Sequence, residues 1–164
     1  MTVYRYPTPE WLEESAKRYR ATPGFQKALE KITTKIFFLI RADPFWGLEQ
    51  DIVFGAITEK GALIDLRFFS RQEAQEKADF IMGATPQGWK KILRKENKFL
   101  TDFMLGKISL EHGSKVGVLG LAPYANTFIE ALTQVELQFP DEMTSEELAE
   151  FRSYVSDFRD RLGV

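Results

Sequence analysis

The segment Thr34-Lys35-Ile36-Phe37-Phe38-Leu39-Ile40-Arg41-Ala42 constrains the fold more than any other. It is β-branched and aromatic, and its apolar residues fall on both parities. Successive side chains of a strand point to opposite faces of a sheet. A strand apolar on both faces therefore belongs inside a sheet that is covered above and below. The rest of the chain has to supply its neighbours and its cover.

Four further segments read as strands. Residues 51–57, DIVFGAI, are followed by the turn Glu59-Lys60-Gly61 and by 62–69, ALIDLRFF. In that returning arm Ile64, Leu66 and Phe68 alternate with Asp65 and Arg67, the pattern of a half-exposed hairpin strand. Residues 78–84, ADFIMGA, give a fourth strand, and Lys107-Ile108-Ser109-Leu110-Glu111 a short fifth. The polar run 70–77 between them reads as a linker or a short helix.

Helical spacing appears elsewhere. Thr8-Pro9 is an N-cap followed by a first-turn proline, and Trp11, Leu12, Ser15, Ala16 and Tyr19 share one face. Together with Phe25, Ala28, Leu29 and Ile32 they predict helices over 9–21 and 24–32. Thr85-Pro86 repeats the start signal, with Trp89, Ile92 and Leu93 on the face that follows. Phe99, Leu100, Phe103 and Met104 mark another short helix, ended by Gly106. From Lys115 the residues Val116, Val118 and Leu119 suit strand or helix. After Pro123, Tyr124, Phe128, Leu132 and Val135 lie on one helical stripe. Thr144-Ser145-Glu146-Glu147 is a capping box, and Leu148, Phe151, Val155, Phe158 and Leu162 then give an amphipathic helix over 145–162.

A chain of 164 residues favours one domain, here divided into N-terminal helices (1–32), a core (33–137) and the C-terminal helix (144–162). At this size about two thirds of the unfolded surface can be buried without staples. No cysteine is present, which excludes disulfides, thiolate metal sites and a thiol nucleophile. With 22 basic against 24 acidic residues there is no basic excess to bind nucleic acid. No stretch approaches the ~18 apolar residues of a membrane span, and neither end carries a secretory or peroxisomal signal. The expectation is a soluble, cytoplasmic protein. Fourteen Phe against five Tyr is the outlying count. Phe has no polar handle, so it suits either a dry core or a greasy cavity.

Motifs for catalysis are sparse. His112 is the single histidine, with no serine or cysteine motif beside it, and a zinc site would need several such ligands. Gly83-Ala84-Thr85-Pro86-Gln87-Gly88-Trp89-Lys90 looks like a phosphate-binding loop, but Trp89 stands where the lysine is required; a helix cap accounts for it better. Glu146, Glu147 and Glu150 read as a solvated first turn, and Asp79 as a residue at the solvent edge or capping a turn. No cofactor and no metal are expected.

Over residues 78–132 the sequence resembles the sterol carrier protein type-2-like family, prokaryotic type. The resemblance is carried by Ala78-Asp79-Phe80-Ile81-Met82, by the helix with Trp89, by Phe103-Met104-Leu105-Gly106-Lys107-Ile108-Ser109-Leu110-Glu111-His112-Gly113, and by Leu119-Gly120-Leu121-Ala122-Pro123-Tyr124-Ala125. Glu111-His112-Gly113-Ser114 departs from the family's usual turn. The resemblance implies a helix over 115–121 and an α+β fold: a five-stranded mixed sheet with helices packed on one face, enclosing a hydrophobic tunnel. It implies non-enzymatic binding of a long apolar ligand, such as a fatty acid, acyl thioester, isoprenoid or sterol-like lipid. The expected wall is formed by 85–105 and 119–132, through Trp89, Ile92, Leu93, Phe99, Leu100, Phe103, Met104, Leu119, Tyr124, Phe128 and Leu132. Lys90, Lys91 and Arg94 are either headgroup contacts or solvated charges. An accessory or oligomerisation role with a collapsed tunnel is the alternative, and an enzyme acting on acyl thioesters is a third. The apolar stripe of 145–162 needs burial on its own domain, against a second copy in a homodimer, or as a lid over the tunnel; stable membrane insertion is not expected.

Overall fold

The computed structural model describes residues 2–164. Its centre is a sheet of five strands: β2 (Thr34–Ile40), β3 (Ile52–Glu59), β4 (Ala62–Phe69), β5 (Phe80–Ala84) and β6 (Ser109–His112), in the order β4-β3-β2-β5-β6. All neighbours are antiparallel except β2 and β5, which run parallel. The fully apolar strand thus occupies the middle of the sheet. Ile36, Phe38 and Ile40 point to one face, where Ile52, Phe54, Ala56, Leu66, Phe68 and Met82 join them. Phe37 and Leu39 point to the other, with Val53, Phe69 and Ile81.

The first face carries most of the helices: α1 (Pro9–Ala21), α4 (Pro86–Leu93), α5 (Phe99–Met104), α6 (Lys115–Leu121), α7 (Ala125–Leu132) and α8 (Ser145–Leu162). The second face is covered by α3 (Arg71–Lys77), the polar run 70–77, which opens on a Ser70–Glu73 capping box and buries Ala74 against Phe37 and Leu39. Opposite Phe37 in β3 stands Gly55, where a Cβ would lie 2.7 Å from the ring. Glycine there is what lets the ring lie flat across the sheet.

The hairpin β3–β4 turns on Lys60 and Gly61, both with positive φ (47° and 79°), the geometry of a tight two-residue turn. Its tip is held by the Tyr19 hydroxyl, which donates to the Gly61 carbonyl at 2.5 Å, and by the Gly61 amide, which donates to Ile32 at 3.1 Å. That contact draws the chain out of the second helix early, so α2 covers Pro23–Ala28 rather than 24–32. A register shift at Ile57/Thr58 breaks the alternation in β4: Ile64 drops out of the ladder and is 54% exposed, while Leu66 and Phe68 stay inside.

The segment 115–121 is helical, capped by Ser114. The helix after Pro123 stops at Leu132, short of Val135. Trp11 Nε1 donates to the Leu132 carbonyl at 2.8 Å and Arg18 donates to that of Gln134 at 3.1 Å, occupying the helix's exit. The chain then runs into β7 (Glu136–Gln138), paired in parallel with β1 (Val3–Arg5), a two-stranded sheet with no clear sequence signal.

Helix α8 spans the residues expected of it, from the Thr144 capping box to Leu162. Its stripe is consumed within the chain. Phe151, Val155 and Phe158 are buried, and Phe158 stacks on Phe68 at 5.3 Å between ring centres. Arg159 donates to the carbonyls of Gln50 and Asp51, and Arg152 to that of Pro44. The Tyr154 hydroxyl donates to Glu10; burial and that carboxylate push the phenol up to about 12. Of the stripe, Leu162 stays largely exposed (47%), while Phe151, Val155 and Phe158 are turned into the chain's own core. Phe158→Ala is expected to cost about 3–5 kcal/mol of unfolding free energy, read from urea denaturation; a loss under ~1 kcal/mol would mean that α8 does not hold the fold.

Candidate functional site

Between the inner face of the sheet and helices α4, α5, α6 and α7 lies a cavity of about 60 Å³ lined almost entirely by apolar atoms. Its floor is Ile36, Phe38, Phe54 and Met82 from three neighbouring strands, with Tyr6 at one side. Its walls are Trp89, Ile92 and Leu93 of α4, Phe99 of α5, Val118 and Leu121 of α6, and Ala125, Phe128, Ile129 and Leu132 of α7. Burial pushes the Tyr6 phenol well above its ordinary value, so it is neutral.

The floor is stiff because it is aromatic. Phe38 stacks on Phe54 at 5.0 Å and meets Trp89 edge-on at 5.7 Å; Trp11 meets Phe54 at 5.3 Å. Helix α4 is fixed at both ends. Thr85 accepts from the Gly88 amide at 3.0 Å, the cap the glycine-containing loop was read to be, and Trp89 Nε1 donates to the Leu39 carbonyl at 2.8 Å. Lys90 pairs with Asp141 at 2.9 Å and Arg94 with Glu142 at 2.9 Å. Those two cations are therefore engaged in holding α4 to the segment before α8, while Lys91 remains on the exposed side.

Helix α5 is turned by a buried polar pair. Asp102, 3% exposed, accepts from Asn97 Nδ2 at 3.0 Å, and its carbonyl takes the amides of Lys107 and Ile108. With Phe99, Asp102 and Phe103 inward, positions 100 and 104 fall on the outer side of this short helix. Helix α6 approaches the sheet through Gly117, where a Cβ would sit 2.6 Å from the Phe80 ring.

Of the eleven residues expected at the wall, six line the cavity: Trp89, Ile92, Leu93, Phe99, Phe128 and Leu132. Phe103 is buried one layer behind, stacked on Phe99 at 5.9 Å. Tyr124 packs instead with the Tyr19–Leu29–Ile32 cluster. Leu100, Met104 and Leu119 point outward, 44%, 57% and 39% exposed. The floor was missed entirely. Ile36 and Phe38 share β2 with Phe37 and Leu39, and a strand apolar on both faces does not say which face meets the helices.

A second void of about 20 Å³ adjoins the first, with Phe38, Phe128 and Leu132 as shared walls. It runs on between α1 and the β3–β4 hairpin, past Ala56, Leu66 and Ser15. Among the described residues, no cluster of three or more His, Asp or Glu is arranged to hold a metal. His112 closes β6 in an exposed position, and the Asp79 carboxylate accepts from the Lys35 amide at 2.9 Å at the strand edge. No helix among these residues is long and apolar enough to cross a membrane.

No family model and no curated protein matches the sequence. Solved structures do match in fold. A crystal structure of sterol carrier protein 2 superposes with a TM-score of 0.64 at 20% identity, covering 78% of this chain and 97% of that one. A conserved Thermus thermophilus protein, described as a candidate sterol carrier, gives 0.67 at 21% identity, over 80% of this chain and 90% of its own. Sterol carrier protein 2 from Yarrowia lipolytica, in an apo form, gives 0.52 at 10% identity, over 76% and 88%. The chain therefore has the sterol carrier protein 2 fold, as the resemblance over 78–132 implied.

The placement of α5 separates two substitutions. Phe103→Asp buries a carboxylate in an apolar layer and is expected to unfold the chain. Leu100→Asp, on the outer side of the same helix, is expected to shift stability by less than ~0.5 kcal/mol. Thermal melts followed by circular dichroism check both; a stable, folded Phe103→Asp would contradict this orientation of α5.

Proposed function

We propose that this chain, acting as a single domain in the cytoplasm, binds and carries a long apolar ligand without transforming it. The ligand class is a fatty acid, acyl thioester, isoprenoid or sterol-like lipid. The observation that carries the reading is the nearly all-apolar cavity between a rigid aromatic floor and a helical wall. The likeness in fold to sterol carrier protein 2 structures supports it. Burial is worth ~0.8 kcal/mol per methylene, so a dozen methylenes contribute about 10 kcal/mol before the costs of association.

The cavity is small. Pockets that enclose a ligand run from about 300 Å³ upward, against about 60 Å³ here. A long chain enters only if a wall moves. The floor is braced by stacked rings and α4 by two ion pairs, whereas α6 and α7 bury little. Val118 is the one fully buried side chain of α6, its neighbour Val116 is 79% exposed, and Leu132 is the buried residue of α7. Segments with few buried contacts open at low cost. The segment 115–129 is accordingly the wall that swings away, hinged at Leu132, whose carbonyl Trp11 holds, and ligand binding fills the space it leaves.

The same small volume favours a second reading, an accessory or oligomerisation domain whose cavity stays shut. Titration with a fluorescent fatty acid separates the two. Carriage predicts saturable binding at micromolar concentration or tighter, and Ala125→Phe, which places a ring in the cavity at a half-buried position, weakens it at least tenfold with the melt little changed. Wild-type protein that ignores acyl and isoprenoid probes alike, and yields no lipid on solvent extraction and mass spectrometry, would establish the closed alternative.

A further inference from the structure

We infer that the inner end of the cavity is built to receive an oxygen: the ligand carries one uncharged hydroxyl or carbonyl group at the end that enters first, and the Ser15 hydroxyl pairs with it. The inference deepens the carriage reading and rests on it. Ser15 lies on the inner face of α1, fully buried, and its Oγ has no hydrogen-bond partner. It faces the second void, whose other walls include Ala56, Leu63 and Leu66, the hydroxyl-bearing Tyr19 and Thr58, and the shared side chains Phe38, Phe128 and Leu132.

The other hydroxyls there are spoken for. Thr58 has one proton to give, to the Thr34 carbonyl at 3.4 Å or the Ile32 carbonyl at 3.5 Å, and Tyr19 donates to that of Gly61 at 2.5 Å. Among the described residues the second buried polar side-chain atom without a partner, Gln134 Nε2, lines neither void. A buried hydroxyl left unpaired is costly. At this helical position alanine would propagate the helix better and would suit the apolar seam better. A water there would meet the hydroxyl oxygens of Ser15, Tyr19 and Thr58 in a void of about 20 Å³ otherwise lined by apolar side chains; a ligand oxygen meets the same set and brings an apolar body to the rest of the wall. A ligand end bearing an oxygen pairs with Ser15 directly. No charged side chain lines either void, so the entering end is neutral; a carboxylate or phosphate stays at the mouth.

Phe38, Phe128 and Leu132 separate the two voids. Phe128 lies on the part of α7 that moves when a ligand enters, while Leu132 stays at the end pinned by Trp11. Withdrawal of Phe128 joins the voids into one channel from α4 and α6 to α1.

Hexadecanoic acid and 16-hydroxyhexadecanoic acid test this, each competed against a fluorescent acyl probe on wild-type protein and on Ser15→Ala. The expected result is that Ser15→Ala shifts the ratio of the two dissociation constants by fivefold or more against the hydroxylated acid, with an unchanged or raised Tm. A smaller shift, with both acids still bound, overturns the role of Ser15 and leaves carriage standing. Failure of both acids to bind wild-type protein overturns the two together.

Discussion

The rings of Phe38, Phe54 and Phe68 on the inner face of the sheet set the spacing on which the rest of the molecule depends. Phe54 is in contact with Phe38, Phe68 and Trp11, and Phe68 stacks on Phe158. Aromatic side chains are bulky and stiff, with preferred edge and offset contacts. They hold α1 and α8 at a fixed height over β3 and β4. Over β2 and β5 the space is closed by Trp89 and its aliphatic neighbours on α4, by Phe99 of α5, and by the faces of α6 and α7. A void persists there because the layer height is set elsewhere. Close packing is the rule in interiors, so a void lined by Ile, Leu, Val and Phe side chains marks a place where packing has been left incomplete.

The braces are distributed unevenly around that void. Trp89 and Trp11 each spend their indole N–H on a backbone carbonyl, tying α4 to β2 and α1 to the end of α7. Ion pairs hold α4 to the segment before α8, and Asp102 turns α5. Between α5 and the start of α7 there is no comparable brace: α6 rests on Val118 and on the close approach of Gly117 to Phe80. The cavity is nearly closed, and its least braced side is the one formed by α6 and the start of α7. On the proposed carrier reading that side yields to a ligand while the braced floor stays in place.

Much of the architecture was legible in the sequence because local signals and tertiary demands agree. Thr8-Pro9, Thr85-Pro86 and the Thr144 box start helices where they should, and the doubly apolar strand sits at the sheet's centre. What the sequence could not reveal turns on tertiary events. The parity of β2 was ambiguous because both faces are buried, which concealed the cavity floor. Ile64 left the pattern through a bulge, Leu100 and Met104 were turned outward by the Asn97–Asp102 pair, and Val135 lost its helix to a hydrogen bond from Trp11, far away in the chain. Ser15 was read as one more residue of a helical face; its isolation shows only once the void beside it is known.

The central claim is that an apolar chain lies over the aromatic floor and not against the exposed apolar side chains of α5 and α6. Nuclear Overhauser effects between the protonated alkyl chain of a saturating fatty acid and selectively methyl-labelled protein test it directly. The account predicts contacts to the methyls of Ile36, Ile92 and Ile129, the last moving most in chemical shift because it lies on the wall that opens. Contacts confined to Leu100, Leu105, Val116 and Leu119, with the Ile36 methyl unperturbed, would contradict it.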